Sequence, residues 1–130
     1  MAKSIEQQVV LNAEPARVYE ALMDSRRHAE FTGGPAEIDA RAGGEMSCHG
    51  GFVTGRNIEL VAGRRVVQAW RGKDWADGLY SVATFALEPD GKGKTRLSFT
   101  QHGVPDDQVE HIAKGWYSQY WEPLAKYLAQ

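Results

Sequence analysis

One long amphipathic helix at the end of the chain constrains the fold more than any other feature of the sequence. From Val109 to Leu128, apolar residues recur at steps of three and four, which is the pattern of a helix with one continuous apolar stripe. The helix is predicted to span about Asp106 to Leu128, and Gly115 should weaken it while Pro123 should kink it. Such a stripe requires an apolar surface that covers it.

One strand and two short helices are predicted at the start of the chain. Ser4 to Leu11 alternates loosely between apolar and polar residues, as a strand does. Pro15 suits the first position of a helix, which is predicted to end near Met23. Ser25 is expected to cap a second short helix that runs through Glu30.

The middle of the chain consists of segments with the period-two alternation of strands. Glycine pairs and a Pro-Asp-Gly turn separate them, so neighbouring strands are expected to run antiparallel. The order of elements predicts an α+β fold in which a curved antiparallel sheet of about seven strands wraps the C-terminal helix. The six strands predicted here are Ala36 to Arg41, Glu45 to His49, Phe52 to Val61, Arg65 to Arg71, Leu79 to Glu88 and Lys94 to His102.

The size and charge of the chain limit its class and its partners. Residues 1–130, with a mass of 14.4 kDa, are predicted to form a single domain. No apolar run approaches the ~20 residues of a membrane span. Fifteen basic against seventeen acidic residues give a net charge of −2, whereas a protein that grips nucleic acid usually carries a basic excess. Cys48 is the only cysteine and no export signal is visible, so we expect a cytoplasmic protein without a nucleic-acid partner.

The residue types that carry metal or acid–base chemistry do not occur at useful spacings. No two of the four histidines lie three to five residues apart, as zinc ligands on one helix face would. Cys48 is adjacent to His49, but neighbouring residues of a strand point to opposite faces. A Gly-x-Ser-x-Gly nucleophile motif is absent as well. We therefore expect no metal, no cofactor and no catalytic residue.

Aromatic residues give the strongest indication of a binding site. Trp116 and Tyr120 lie one helical turn apart on the apolar stripe, beside Gly115, so their rings would border a cavity between helix and sheet. Trp75 lies in a polar loop that no periodicity explains, and it is interpreted as a lid, as a partner anchor or as a cap on the core. For Phe85 and Phe99, plain core packing is the favoured role. The candidate cavity residues are Met46, Trp70, Trp75, Phe85, Phe99, Ile112, Trp116 and Tyr120.

The run Asn12 to Leu22, NAEPARVYEAL, resembles the opening of START-like domains, also called SRPBCC or Bet v 1-type domains. Within that superfamily the resemblance is strongest to the C-terminal domain of the activator of the ninety-kilodalton heat-shock chaperone ATPase. The resemblance covers nearly the whole chain and implies a helix-grip fold. It also implies binding of hydrophobic ligands or protein partners and, in a minority of members, cyclase activity. The other matching stretches are Ala42 to Met46, Gly55 to Val61, Val67 to Trp75, Gly78 to Ser81, Gly103 to Pro105 and Gly115-Trp116.

The sequence leaves three functions open. The favoured one is a non-catalytic domain that binds a small apolar molecule between the sheet and the C-terminal helix. The second is an interaction module that modulates a heat-shock chaperone ATPase, which would be its partner. The third is an enzyme of the polyketide cyclase or dehydratase type, and two polar side chains converging deep in the cavity would favour it.

Overall fold

The protein is built around a seven-stranded sheet in which every pair of neighbouring strands is antiparallel. The computed structural model describes residues 2–129. The strands of the sheet are β1 Ala2–Leu11, β2 Ala36–Ile38, β3 Glu45–Cys48, β4 Val53–Val61, β5 Arg65–Gly72, β6 Ser81–Pro89 and β7 Thr95–Pro105. Their spatial order is β1-β7-β6-β5-β4-β3-β2, so β1 pairs with the last strand and the others follow the chain.

Helices occupy two places in the chain, as predicted. Two short helices, α1 Pro15–Met23 and α2 Ser25–Thr32, lie between the first two strands. The C-terminal helix consists of α3 Val109–Trp116, a π-helical turn Tyr117–Trp121 and α4 Glu122–Leu128. The structure therefore confirms the predicted α+β helix-grip order of strand, two helices, six strands and a long helix.

The start of α2 differs from the prediction in its capping residue. The carboxylate of Asp24, not the hydroxyl of Ser25, accepts a hydrogen bond from the amide of Arg27, at 3.0 Å. The Ser25 hydroxyl instead accepts from the amide of Ile38 at 2.8 Å. Ser25 therefore ties α2 to β2, which ends at Ile38 and does not reach Arg41.

The C-terminal helix starts later than predicted. The amide of Gln108 donates to the carbonyl of Pro105 at 2.9 Å, so the chain makes a turn where the sequence predicts the first helical residues. The first hydrogen bond of α3 follows, from the amide of Ile112 to the carbonyl of Gln108. The helix consequently begins at Val109 rather than at Asp106.

A wide turn interrupts the C-terminal helix just before its proline. The amide of Glu122 donates to the carbonyl of Tyr117, five residues earlier rather than four. Pro123 accounts for the widening, because a proline has no N–H with which to continue the regular ladder. The irregularity predicted at Pro123 thus takes the form of a π-helical turn. The last two residues of the turn, Tyr120 and Trp121, are both buried although they are adjacent.

Two indole groups fix the C-terminal helix at defined positions on the sheet. The Trp116 N–H donates to Gln101 Oε1 at 2.8 Å, and the Trp121 N–H donates to Gln7 Oε1 at 2.7 Å. The two glutamines lie on the paired strands β7 and β1. Gln101 is fully buried and its amide donates to the Ser81 hydroxyl at 2.9 Å. Because a buried donor without a partner costs about 1–3 kcal/mol, these bonds set the position of the helix along the strands.

Candidate functional site

A cavity of about 570 Å³ lies between the first half of the C-terminal helix and the sheet, where β4 begins and β5 ends. Its volume falls within the roughly 300–1,000 Å³ that is usual for small-molecule sites. Phe52, which is half exposed, borders it, so one side of the cavity is open to solvent. Five of the predicted cavity residues line it, namely Trp70, Trp75, Ile112, Trp116 and Tyr120.

Trp75 forms a wall that is held in place by the strand before it. Its carbonyl accepts from the guanidinium of Arg71 at 2.6 Å, and its ring centroid lies 5.5 Å from that of Trp70. A Cβ atom on Gly72 would lie 2.9 Å from the Trp75 indole nitrogen, so a glycine is required where this ring meets the strand. Trp75 is buried and also lines the cavity, so its role as lid, partner anchor or cap on the core stays open.

Three predicted cavity residues lie deeper in the protein. Met46 and Phe85 border a chamber of about 10 Å³, close to the volume that one water molecule needs. This chamber shares Trp70, Trp116 and Tyr120 with the large cavity. Phe99 is buried in the core, and its ring centroid lies 4.3 Å from that of Trp116. The binding role of all eight candidate residues stays a prediction.

Gly115 borders the cavity from the helix side. A Cβ atom built at this position would meet no other atom within 4 Å, in contrast to Gly72. A larger side chain at residue 115 would therefore extend into the cavity without a clash at its first atom.

Four polar side chains, which we call the polar cluster, converge at the inner end of the cavity: His28, Cys48, His49 and Tyr120. The Nε2 atom of His28 lies 3.9 Å from the Cys48 sulfur, and Tyr120 forms a hydrogen bond with Cys48. The ring centroids of His28 and His49 lie 5.4 and 5.9 Å from that of Tyr120. His49 and Tyr120 border the large cavity, whereas His28 and Cys48 border the water-sized chamber.

Burial keeps the polar cluster uncharged near neutral pH. Burial, with a smaller repulsion from His49, lowers the pKa of His28 to about 4, and burial lowers the pKa of His49 as well. Burial raises the pKa of Cys48 to about 11, against the smaller opposing effect of the Tyr120 hydrogen bond. The pKa of Tyr120 lies well above 10, because of burial and then of Cys48. His49 and Tyr120 therefore present neutral hydrogen-bonding groups to a molecule in the cavity.

This cluster was not predicted, because Cys48 and His49 were expected on opposite faces of a strand. That expectation is wrong, since β3 ends at Cys48 and His49 begins a turn with a positive φ of 55°. Both side chains consequently approach Tyr120. The pair Gly50-Gly51 indicates in the sequence that the strand ends near His49, because a glycine pair marks the end of a strand.

Neither a group of metal ligands nor a membrane-spanning helix occurs in the part of the chain that the structure describes. No three His, Cys, Asp or Glu side chains of residues 2–129 are grouped so that they could hold a metal ion. Within the same residues, no helix is both long and apolar enough to cross a membrane.

An antiparallel sheet that grips a C-terminal helix, with a cavity between the two, defines a protein with the helix-grip fold. Residues 12–129 match the family described as Activator of Hsp90 ATPase homolog 1-like protein. The chain belongs to this family, which confirms the resemblance seen in its motifs.

Known relatives carry the same domain within longer proteins. The Activator of 90 kDa heat shock protein ATPase homolog 1 of Homo sapiens is 30% identical over 110 residues, which cover 85% of this chain and 32% of that protein. The homolog of Dictyostelium discoideum is 29% identical over 114 residues, covering 88% of this chain and 30% of that protein. This chain thus spans about a third of the length of these curated relatives.

One solved structure has nearly the same backbone. An HSP90 activator from Plasmodium falciparum superposes with a TM-score of 0.89, over 93% of this chain and 92% of that one. The two sequences are 22% identical, so this likeness shows the fold alone.

Proposed function

We propose that this chain binds a small apolar molecule in the cavity beside Trp116. The observation that carries the proposal is an open cavity of about 570 Å³ bordered by indole and phenol rings. Rings of this kind bury a large apolar area and can direct one polar atom toward a ligand. His49 and Tyr120 at the inner end add hydrogen-bonding groups without introducing a charge that would exclude an apolar molecule.

The glycine at position 115 supports the same proposal. Glycine in the middle of a helix is less favourable than alanine by roughly 0.5–1 kcal/mol. A methyl group there would meet no neighbour within 4 Å, so close packing does not account for the glycine. The glycine instead leaves open space in the helix wall of the cavity.

Thermal unfolding and tryptophan fluorescence, measured with 1-decanol, farnesol and naphthalene, test the proposal. A molecule that binds only the folded protein stabilises it by about 2.7 kcal/mol at a concentration one hundred times its dissociation constant. We expect at least one probe to raise the melting temperature and to change the fluorescence over the same concentration range. If no probe does either, the proposal is wrong.

A cavity-filling variant makes this test specific to the site. Gly115→Leu should occupy part of the cavity and weaken both responses while the protein still unfolds cooperatively. Ala125→Leu, on the exposed side of α4, is the matched control and should respond like the parent protein. Responses that are unchanged in Gly115→Leu would place binding elsewhere.

Modulation of a heat-shock chaperone ATPase is a second candidate, supported by membership of the family. The curated relatives are described as activators of the 90 kDa heat shock protein ATPase, and this chain spans about a third of their length. The ATPase rate of a purified 90 kDa heat-shock chaperone, measured with and without the chain, tests it. A rate that does not respond at excess chain would exclude this candidate for the chaperone used.

An acid–base enzyme is a third candidate, supported by the convergence of the polar cluster at the inner end of the cavity. His49 borders the cavity and is neutral near pH 7, so its ring can accept a proton from a bound molecule. Incubation with a linear poly-β-ketone, followed by chromatography, tests for cyclisation. Product formed by the parent protein but not by His49→Gln would support the enzyme, and an uncatalysed rate would exclude this reaction.

A further inference from the structure

The charges that border the cavity lie at its solvent side and are mostly positive. Lys73, Asp74 and Lys114 line the cavity and are exposed, and we call them the mouth. The mouth carries a net charge of +1, whereas the whole chain carries −2. The local charge thus has the opposite sign to the charge of the protein.

The two lysines stand on opposite walls of the cavity. Lys73 follows β5, where its amide donates to the carbonyl of Phe52 at 2.8 Å, and Lys114 belongs to α3. Within residues 2–129, neither ammonium group has a carboxylate within 4.0 Å. Both ammonium groups are therefore available to an anion at the mouth.

The inner end of the cavity is unsuited to an anion. Trp70, Trp116 and Ile112 form its apolar wall, and the nearest polar groups are the uncharged side chains of the polar cluster. A charged group moved from water to such a place loses hydration without gaining an opposite charge. An amphiphile would therefore enter with its apolar part first and leave its charged group at the mouth.

We propose that the cavity binds an amphiphile with a single anionic head group, such as a carboxylate, that is held by Lys73 and Lys114 at the mouth. The inference rests on the proposed binding of an apolar molecule and adds the charge of that molecule and its orientation. The aromatic walls would also attract a cationic head group, but the two lysines repel it. A cationic amphiphile should consequently bind more weakly than an anionic one.

Three ten-carbon probes that differ only in their head groups test the proposal: decanoate, 1-decanol and decyltrimethylammonium. Dissociation constants are measured by tryptophan fluorescence at low salt and again at 0.5 M salt. Decanoate should bind about tenfold more tightly than 1-decanol at low salt, since an exposed ion pair contributes roughly a factor of three per lysine. The preference should shrink at high salt, which screens exposed charges.

Charge-removing variants locate the head group. Lys73→Met with Lys114→Met should weaken decanoate binding about tenfold and leave 1-decanol binding within a factor of two. Lys92→Met with Lys94→Met removes the same charge from the β6–β7 turn, outside the cavity lining, and should bind decanoate like the parent. Melting temperatures of both double variants check that folding is retained.

The outcomes separate the two proposals. Equal binding of decanoate and 1-decanol at low salt would overturn the anionic head group and leave the apolar cavity site standing. Tightest binding of decyltrimethylammonium, or a loss of decanoate binding as large in the Lys92 and Lys94 variant, would also overturn it. If none of the three probes binds, the anionic head group is overturned, and the proposed function fails as well only if farnesol and naphthalene also leave melting and fluorescence unchanged.

Discussion

The two halves of the C-terminal helix differ in how completely their apolar side chains are buried. In α4, Leu124 and Leu128 are 0% and 2% exposed, and neither lines the large cavity. In α3, Val109 and Ile112 are only partly buried, and the cavity lies between this half and the start of β4. The difference teaches that one helix can combine a half with fully buried leucines, α4, with a half that borders a cavity, α3.

Removal of the whole helix should have the largest effect. A chain that ends after Val104 loses both halves and exposes the apolar face of the sheet. We expect it to lose cooperative thermal unfolding, measured by circular dichroism. A truncated chain that remains monomeric and melts sharply would show that the sheet does not depend on the helix.

Single truncations should separate the two halves. Leu124→Ala removes a fully buried side chain and should lower the free energy of unfolding by roughly 2–5 kcal/mol in urea titrations. Ile112→Ala removes a half-buried side chain that already borders a cavity, so its cost should be well below that of Leu124→Ala. Equal costs would contradict the expectation that α4 contributes more to stability than α3.

Acid should destabilise the protein because His28, near the inner end of the cavity, is harder to protonate in the folded protein than in the unfolded chain. The pKa of His28 is about 4 in the folded protein and 6.5 in the unfolded chain, so the unfolded chain takes up the proton first as the pH falls. Stability should decrease between about pH 6.5 and pH 4 and then level off. The difference between the two pKa values corresponds to about 3 kcal/mol, an order-of-magnitude figure.

Two histidine variants check this assignment by urea titration across the same pH range. His28→Gln should flatten the decrease, because it removes the buried titrating group. His111→Gln changes an exposed histidine of α3 and should keep the decrease of the parent. A decrease of unchanged size in His28→Gln would assign the acid sensitivity to another group.

The smallest effect is expected at the cavity wall. Gly115→Ala should raise the free energy of unfolding by up to about 1 kcal/mol, because alanine favours the helix and its methyl group meets no atom within 4 Å. The same methyl group should weaken the binding of bulky probes measured by fluorescence. A destabilised Gly115→Ala variant would mean that α3 requires the glycine for its own conformation.

Features with a regular period were predictable from the sequence, and those without one were not. The apolar stripe from Val109 to Leu128 and the alternation along the strands follow from the geometry of helices and sheets. The start of α1 at Pro15 also follows from one residue, because proline suits the first helical position. These signals are local, so they survive without knowledge of the tertiary structure.

The polar cluster could not be predicted, because its members come from separate elements. His28 belongs to α2, Cys48 ends β3 and Tyr120 lies in the π-helical turn, so only the tertiary structure brings them together. His28 carried one usable signal. It lies three residues before the buried Phe31, on the same face of α2, and a histidine on an apolar helix face indicates a buried position.

The π-helical turn has a consequence for how the two halves are oriented. In a regular helix, successive side chains are 100° apart around the axis. The direction of a side chain at one end therefore fixes the directions of those at the other end. The wide turn Tyr117–Trp121 breaks this phase relation. If the same sequence formed a uniform helix, the eight steps from Trp116 to Leu124 would place these two side chains about 80° apart around the axis. The extra residue in the wide turn offsets this difference, so Trp116 and Leu124 can both be buried.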